Sequence, residues 1–172
     1  MKQISFQNDI LPLRDELYRL ALRITLSKEE AEDVVQETML KVWNRRGQWE
    51  QIESIEAFCL TICRNLALDK AKRAENLNRV FDTSAAEKPD TSYHSNPEEQ
   101  AVQRDRVRLA RQLMDTLPEK QRTCMQLRDV EGKAYKDIAD ILGISEQQVK
   151  VNIFRARQAI RQRFNQTEQY GL

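Results

Sequence analysis

The chain has 172 residues, of which 32% are charged and 40% hydrophobic, and its formal net charge is +1. These proportions are typical of a soluble, helix-rich protein with one or two small domains. A near-neutral chain does not attract nucleic acid through its overall charge, so any such contact must come from local patches. No apolar run approaches the roughly 20 residues of a membrane span, and the N-terminus lacks the apolar core of a signal peptide. We therefore expect a cytoplasmic protein without a membrane span.

The chain offers few residues for covalent or metal chemistry. Cys59 and Cys63 lie one turn apart in an apolar segment, Cys124 is distant, and the single histidine, His94, lies in a polar stretch. A zinc site needs four convergent ligands, which this spacing does not supply, so we expect buried thiols in a reducing cytosol. The sequence has no glycine-rich phosphate loop and no paired nucleophile and base. We expect no metal, no cofactor, no catalytic residue and no enzymatic activity.

Periodicity predicts three helices in the first half. A helix over 8–26, with Pro12 in its first turn, has an apolar face of Leu13, Leu17, Leu20, Ala21 and Ile24. Ser27 caps the second helix, with Glu30 completing a capping box. Its predicted inward residues are Ala31, Val34, Val35, Thr38, Met39, Val42 and Trp43. After a loop over 45–53, Ser54 caps a third helix that runs to about residue 79. Its predicted inward residues are Ile55, Phe58, Cys59, Ile62 and Leu66.

Charge is concentrated on two of these helices. Residues 28–37 are mainly acidic, and residues 64–73 are mainly basic. Part of the acidic patch is explained by the helix dipole, which favours acids in a first turn. The remaining acidic charge predicts one protein contact, and the basic patch over 64–73 and a second basic patch in the last helix predict two nucleic-acid contacts. Trp43 and Trp49 could stack on unpaired bases, but packing in the core is the better interpretation for Trp43.

Helical periodicity stops at residues 80–97, which are rich in Ser, Thr, Asp and Pro and predict a flexible linker. Four further helices are predicted, over 98–116, 119–131, 134–142 and 146–166, and no segment alternates as a strand does. We therefore expect an all-α protein of two small helical domains, residues 1–79 and 98–172, joined by the linker.

The last two helices have the layout of a helix-turn-helix. Gly143 can adopt the left-handed conformation that ends the first helix, and Ser145 with Gln148 forms a capping box for the second. The second helix is basic, which favours contact with DNA phosphates and with guanine bases. A solvated helix pair in an all-α protein is the alternative interpretation.

Three segments in this order resemble the bacterial extracytoplasmic-function (ECF) sigma factors of the sigma-70 family. The segment AEDVVQETMLKVW, over residues 31–43, resembles the family's helix that binds core polymerase. The segment AFCLTICRNLALDKAKR, over 57–73, resembles the helix that opens the upstream melting element. The segment from Leu117 to Ile160 resembles the module that reads the distal promoter element. The resemblance covers nearly the whole chain.

The resemblance implies a protein that binds core RNA polymerase, directs it to promoter DNA and starts strand separation. It implies core-polymerase contacts at Asp33, Gln36, Glu37 and Leu40. It implies melting-element contacts at Arg64, Asn65, Asp69, Lys70, Lys72 and Arg73. It implies distal-element contacts at Gln147, Gln148, Lys150, Val151, Asn152, Phe154, Arg155 and Arg157. Gln147, Gln148, Val151 and Asn152 depart from the residues frequent in the family, which puts the sequence preference in doubt.

Several alternatives stay open. Asp69 could orient Asn65 or Arg73, could accept a hydrogen bond from a base amine, or could instead form an intrahelical ion pair with Arg73. The main functional alternative is a stand-alone helix-turn-helix regulator that binds duplex DNA without polymerase. Many relatives bind an anti-sigma factor, and the sequence does not decide whether this chain does. A mobile linker would let the two domains pack together in the free protein, so we expect weak promoter binding by the free chain.

Overall fold

The computed structural model describes residues 3–80 and 98–169, and within them every regular element is helical. Residues 81–97, almost all of the predicted linker, lie outside the described residues. Seven α-helices form two groups, α1–α3 before this gap and α4–α7 after it. Their bounds are α1 Arg14–Thr25, α2 Lys28–Asn44, α3 Ile55–Val80, α4 Glu98–Asp115, α5 Glu119–Met125, α6 Tyr135–Leu142 and α7 Glu146–Gln169.

The first α-helix begins later than the sequence predicts. A π-helical turn over Phe6–Ile10 and a 3-10 turn over Leu11–Leu13 precede α1. Pro12 explains the difference, because proline lacks the backbone N–H that an α-helix needs and its ring crowds the preceding turn. The predicted helix over 8–26 is therefore wrong for residues 8–13.

Local caps set the starts of α2 and α3 as predicted. The Ser27 hydroxyl accepts a 3.3 Å hydrogen bond from the Glu30 amide, and the Ser54 hydroxyl accepts one of 3.2 Å from the Ala57 amide. The predicted inward residues of α2 are buried or half-buried, except Trp43. Trp43 is 44% exposed and packs edge-on against Phe6 and Trp49, whereas Trp49 is buried and donates to the Val42 carbonyl. The prediction of core packing for Trp43 is wrong, since Trp49 takes the inner position.

The buried face of α3 is rotated from the predicted one. Cys59, Leu60, Cys63 and Ala67 are fully buried, whereas the predicted Ile55, Phe58, Ile62 and Leu66 are only half-buried. The reason is tertiary, because α3 packs against α1 and α2 and also against α6 of the second group. A helix with neighbours on several sides has no single apolar face for periodicity to identify.

The second group contains the predicted helix-turn-helix. Gly143 ends α6 with φ +68°, and Ser145 and Gln148 exchange hydrogen bonds of 3.0 and 3.1 Å, which confirms the capping box. Leu142, Val149 and Ile153 are buried where α6 and α7 meet. The predicted helix over 119–131 is an α-helix only to Met125 and continues as a π-helical turn over Gln126–Val130.

The two groups pack directly against each other. Helix α3 contacts α6, and α1 contacts α5. Buried residues of both groups, such as Leu60, Cys63, Cys124 and Ile141, belong to one continuous hydrophobic cluster. The described residues that are expected to be functional therefore lie on one packed body.

Candidate functional site

The exposed face of α2 presents the four residues expected to contact polymerase. Asp33, Gln36 and Glu37 are exposed, and Leu40 is 62% exposed. Their spacing of three and four residues aligns them along one face of the helix. The face combines two carboxylates, an amide and an apolar side chain, which suits a basic protein surface with an apolar contact point.

A cleft of about 240 Å³ lies where α2 and α3 meet. Asn65 and Asp69 of α3 line it, both exposed, above the half-buried ring of Phe58. Lys41 of α2 and Arg45, the residue that follows α2, also line the cleft, and the Arg45 guanidinium lies 5.9 Å from the centre of the Phe58 ring. Among the described residues Asp69 has no ion pair with Arg73, so the intrahelical alternative lacks support. The cleft combines a hydrogen-bonding amide, an aromatic surface and two cations.

The four basic residues expected to contact DNA from α3 differ in exposure, because two of them are paired with carboxylates and two are exposed. Arg64 is 8% exposed, and its guanidinium donates two hydrogen bonds, of 3.3 and 3.1 Å, to the Glu119 carboxylate of α5. Lys70 lies 3.7 Å from the Glu30 carboxylate of α2. Lys72 and Arg73 are exposed. In this arrangement Lys72 and Arg73 are open to a phosphate, whereas Arg64 is covered.

Helix α7 presents most of the expected distal-element residues on its outer surface. Those that are exposed are Gln147, Gln148, Lys150, Val151, Phe154, Arg155 and Arg157. Phe154 is 65% exposed, so its ring is accessible to an apolar part of a ligand. Asn152 is half-buried and donates a 2.8 Å hydrogen bond to the Gln148 carbonyl within the helix. The second N–H and the carbonyl oxygen of the Asn152 amide are not used in this bond.

Two basic residues of α7 contact side chains of other elements, one a carboxylate and the other an aromatic ring. The Arg157 guanidinium donates two hydrogen bonds to Asp129, and this interaction raises the pKa of Arg157. The Lys150 ammonium lies 5.3 Å from the centre of the Tyr135 ring. Sequence reasoning missed Glu119, Asp129 and Tyr135, as well as the cleft wall formed by Lys41 and Arg45. These partners lie far from each other along the chain, so no local spacing identifies them.

Ion pairs join the two helical groups along the α1 and α3 surface. Arg19 donates two hydrogen bonds to Glu131, of 2.6 and 2.9 Å, and these raise the pKa of Arg19. Arg23 donates a 2.7 Å hydrogen bond to Asp115. Lys133 pairs with both Glu16, at 2.8 Å, and Glu56. With the Arg64 pair, they make a charged contact that holds the halves closed.

Known protein families match both halves of the chain. Residues 10–76 match the family model of Sigma-70 region 2, and residues 108–160 match that of Sigma-70, region 4. The ECF RNA polymerase sigma factor SigL of Mycobacterium tuberculosis is 33% identical over 146 residues, which cover 84% of this chain and 80% of SigL. The chain belongs to the ECF sigma factors of the sigma-70 family.

Some relatives of this sigma factor are much longer. The probable RNA polymerase sigma factor RfaY of Xanthomonas campestris is 34% identical over 145 residues, and the match covers 83% of this chain but 36% of RfaY. The fold is also similar to that of the sigma factor RpoE of Bartonella quintana, solved with the anti-sigma factor NepR. The TM-score is 0.69 at 22% identity, over 91% of this chain and 94% of that one.

The family matches overlap the candidate surfaces of the sigma factor. The region 2 match contains α1 and α2 and most of α3, with the acidic face and the cleft, and the region 4 match contains α5, α6 and the first turns of α7. The predicted helix-turn-helix therefore agrees both with the geometry of α6 and α7 and with the region 4 match. None of the helices within 3–80 and 98–169 is long and apolar enough to cross a bilayer.

The three cysteines of the sigma factor are free and buried, as predicted. Burial raises the pKa of Cys59 and Cys63 to about 12 and that of Cys124 to about 11. The Cys63 thiol donates a hydrogen bond to the Leu17 carbonyl at 3.3 Å. The thiols are thus protonated at neutral pH, and the described residues contain no cluster that could hold a metal ion.

Proposed function

We propose that this sigma factor binds core RNA polymerase in the cytoplasm, directs it to selected promoters and promotes strand opening, without catalysing a covalent reaction. One observation carries the proposal. An acidic helix face, an amide-lined cleft and a basic recognition helix are all exposed on one body, and each lies within a segment matched to a sigma-70 region.

The acidic face of α2 is proposed to bind polymerase. Asp33 and Glu37 supply charge to attract a basic surface, and Leu40 supplies an apolar contact at the same face. Charged rim contacts mainly speed association, whereas a buried apolar anchor slows dissociation. The two kinds of residue together suit an interface that is selective and stable.

The cleft between α2 and α3 is proposed to receive a base from the opened strand. An unpaired base exposes its edge and its ring face, and both must find partners. The Asn65 amide can hydrogen-bond a base edge, and the Phe58 ring and the Arg45 guanidinium offer surfaces for stacking. Lys41 of the same cleft can hold the adjacent phosphate. Lys70, Lys72 and Arg73 extend the positive surface along α3.

The outer face of α7 is proposed to read the distal element as duplex DNA. Lys150 and Arg155 can contact guanine or phosphate, and Phe154 can contact a thymine methyl group. Gln147 and Gln148, near the helix N-terminus, can contact the backbone. Asn152 can read adenine with its carbonyl oxygen and the amide N–H that is not bonded to the Gln148 carbonyl.

We propose that the two halves separate when the protein binds polymerase. The ion pairs between α1 or α3 and the second half support a closed free protein, in which Arg64 is covered by Glu119. A single half contacting DNA alone would bind weakly, and two contacts made together on one promoter gain by effective concentration. The predicted linker lies outside the described residues, and its flexibility remains a prediction.

An anti-sigma factor is a further proposed partner. The similar Bartonella quintana sigma factor was solved in complex with one. The closed body exposes the acidic face of α2, the α2–α3 cleft and the face of α7 to such a partner. A stand-alone regulator would use the same α7 face, but it leaves the acidic face and the cleft of the region 2 match without a role.

In vitro transcription with bacterial core polymerase on genomic fragments tests the proposal. Two variants address separate surfaces: Asp33→Lys with Glu37→Lys for polymerase binding, and Asn65→Ala for strand opening. We expect the wild type to direct discrete starts. The α2 variant should fail to bind core, and Asn65→Ala should bind core and duplex but open promoters poorly.

Two control variants test whether the losses are specific to the α2 face and to the cleft. Glu50→Lys with Glu53→Lys makes the same charge change at exposed positions outside α2, and Gln112→Ala removes an exposed amide from α4. Both controls should transcribe like the wild type. If the wild type binds duplex DNA but gives no starts with core, the polymerase role is wrong and the regulator takes its place.

A further inference from the structure

Tyr135, the first residue of α6, lies between two cations from different elements. The Arg128 guanidinium lies 4.2 Å from the centre of its ring, and the Lys150 ammonium of α7 lies 5.3 Å from it. Arg128 is itself anchored, because it donates a 2.9 Å hydrogen bond to the Lys133 carbonyl. The ring therefore joins the start of the helix-turn-helix to its second helix.

The ring restrains Lys150 without neutralising it. A free lysine side chain samples many rotamers, and ordering it costs conformational entropy. A cation over an aromatic face gains electrostatic attraction while its ammonium keeps its full charge and its hydrogen-bond donors. Within the described part of the chain, no carboxylate forms an ion pair with Lys150. Arg157 differs in this respect, since Asp129 compensates its charge.

The arrangement also concentrates positive charge at one place. From their distances to the ring centre, the charges of Arg128 and Lys150 are no more than about 9.5 Å apart. Both cations lie beside one ring, so they add to the positive potential of the same part of the surface. This positive charge would attract a polyanion beside Tyr135, and duplex DNA on the face of α7 is such a polyanion.

We propose that Tyr135 is a positioning residue for DNA reading, whose ring holds the Lys150 ammonium ready for a phosphate or a guanine. The inference rests on the proposed role of α7 in reading the distal element. Tyr135 acts through Lys150, so its contribution should vanish when Lys150 is absent. The aromatic ring, and not the hydroxyl, is the part required.

The contact itself can be tested without any promoter. The lysines of the full chain would be methylated with a ¹³C label, which keeps their charge, and the Lys150 signal assigned with Lys150→Ala. The Tyr135 ring current should shift this signal upfield in the wild type and in Tyr135→Phe, but not in Tyr135→Leu. The same Lys150 shift in the wild type and Tyr135→Leu would overturn the proposal, whatever the protein does on DNA.

The effect on DNA is tested with polymerase holoenzyme on a promoter that the wild type uses. Tyr135→Leu should weaken promoter binding about two- to fivefold, the range expected of an exposed cation–π contact, and Tyr135→Phe should bind like the wild type. In a Lys150→Ala background, Tyr135→Leu should cause no further loss. Thermal melting of each variant reports whether it is folded.

The possible contrary results are distinct. Equal losses from Tyr135→Leu with and without Lys150 would show a merely structural role and overturn the proposal. A loss in Tyr135→Phe as large as in Tyr135→Leu would assign the effect to the hydroxyl and overturn it as well. If wild-type holoenzyme binds no promoter although the Lys150 signal is shifted, the proposed function of the chain fails, and the DNA role of Tyr135 fails with it.

Discussion

Arg64 of α3 and Glu119 of α5 form a two-point ion pair that joins the two halves of the protein. The guanidinium nitrogens lie 3.3 and 3.1 Å from the carboxylate oxygens, and the Arg64 side chain is only 9% exposed. Thr123 also donates to the same carboxylate, which fixes its orientation. In the closed protein, Glu119 thus takes the position that a DNA phosphate would need in order to reach Arg64.

Glu119→Gln should increase the affinity of the free chain for duplex DNA. The variant removes the charge that covers Arg64 and leaves an uncompensated guanidinium, which favours opening and phosphate contact. One additional phosphate contact should steepen the dependence of log affinity on log salt by about 0.9. Fluorescence anisotropy with a labelled duplex at several salt concentrations measures both quantities.

Glu50→Gln is the control for this experiment, because it removes an exposed carboxylate that, among the described residues, forms no ion pair with Arg64. It should bind DNA with nearly the wild-type salt dependence. Unchanged or weaker binding by Glu119→Gln would mean that Glu119 does not compete with DNA for Arg64.

Lys133→Met should loosen the contact between the halves. Lys133 pairs with Glu16 and Glu56, and its side chain is 16% exposed. Removing Lys133 leaves both carboxylates unpaired in a half-buried site. The free energy of unfolding should therefore fall by about 1–2 kcal/mol, a figure that allows for the solvent exposure of Glu56. The melting temperature should fall by roughly 2–8 °C, as measured by circular dichroism. Lys136→Met, at an exposed position on α6, should melt like the wild type, and equal melting of the two variants would contradict the role of Lys133.

The buried thiols should make the protein less stable in alkali. Burial raises the pKa of Cys63 to about 12 from an ordinary value of 9.0, so the unfolded chain loses this proton first as pH rises. The native state then binds more protons than the unfolded state, and the free energy of unfolding decreases with increasing pH above about pH 9. The limit for one thiol is about 1.4 kcal/mol per pH unit.

Urea unfolding of the wild type and Cys63→Ala between pH 7 and pH 10.5 checks this linkage. Cys63→Ala should be less stable at pH 7, because it loses buried volume, but its stability should decline less steeply above pH 9. Parallel declines in both proteins would show that Cys63 does not contribute.

We expect Lys41 and Arg45, which line the α2–α3 cleft, to contribute to strand opening. Changing both to Ala should reduce strand opening and lower the salt dependence of opening, by about 0.7 for each contact with a single strand. Core binding should be unchanged, because these residues line the α2–α3 cleft and not the acidic face. Potassium permanganate footprinting of open complexes measures the loss. Lys28→Ala with Arg14→Ala, at exposed positions outside the cleft, is the control, and an equal loss there would contradict a role specific to the cleft.

The sequence by itself determined the features that depend on neighbours three or four residues apart. The caps at Ser27, Ser54 and Ser145 and the turn at Gly143 lie where the sequence predicts them, because each requires only local backbone geometry. The exposed faces of α2 and α7 follow from helical periodicity in the same way, since one side of each helix is plainly apolar.

Only the tertiary structure decided which of the charged residues are covered and by what. Arg64 and Glu119 are 55 residues apart, Arg157 and Asp129 are 28 apart, and no spacing rule relates such pairs. The sequence favoured Trp43 as the core tryptophan, but packing of the segment before α3 buries Trp49 and leaves Trp43 44% exposed. The cleft arises because α2 and α3 approach there, and the buried face of α3 is rotated because α6 packs on it as well. Long-range pairing and packing depend on the whole chain closing on itself, which local propensity does not encode.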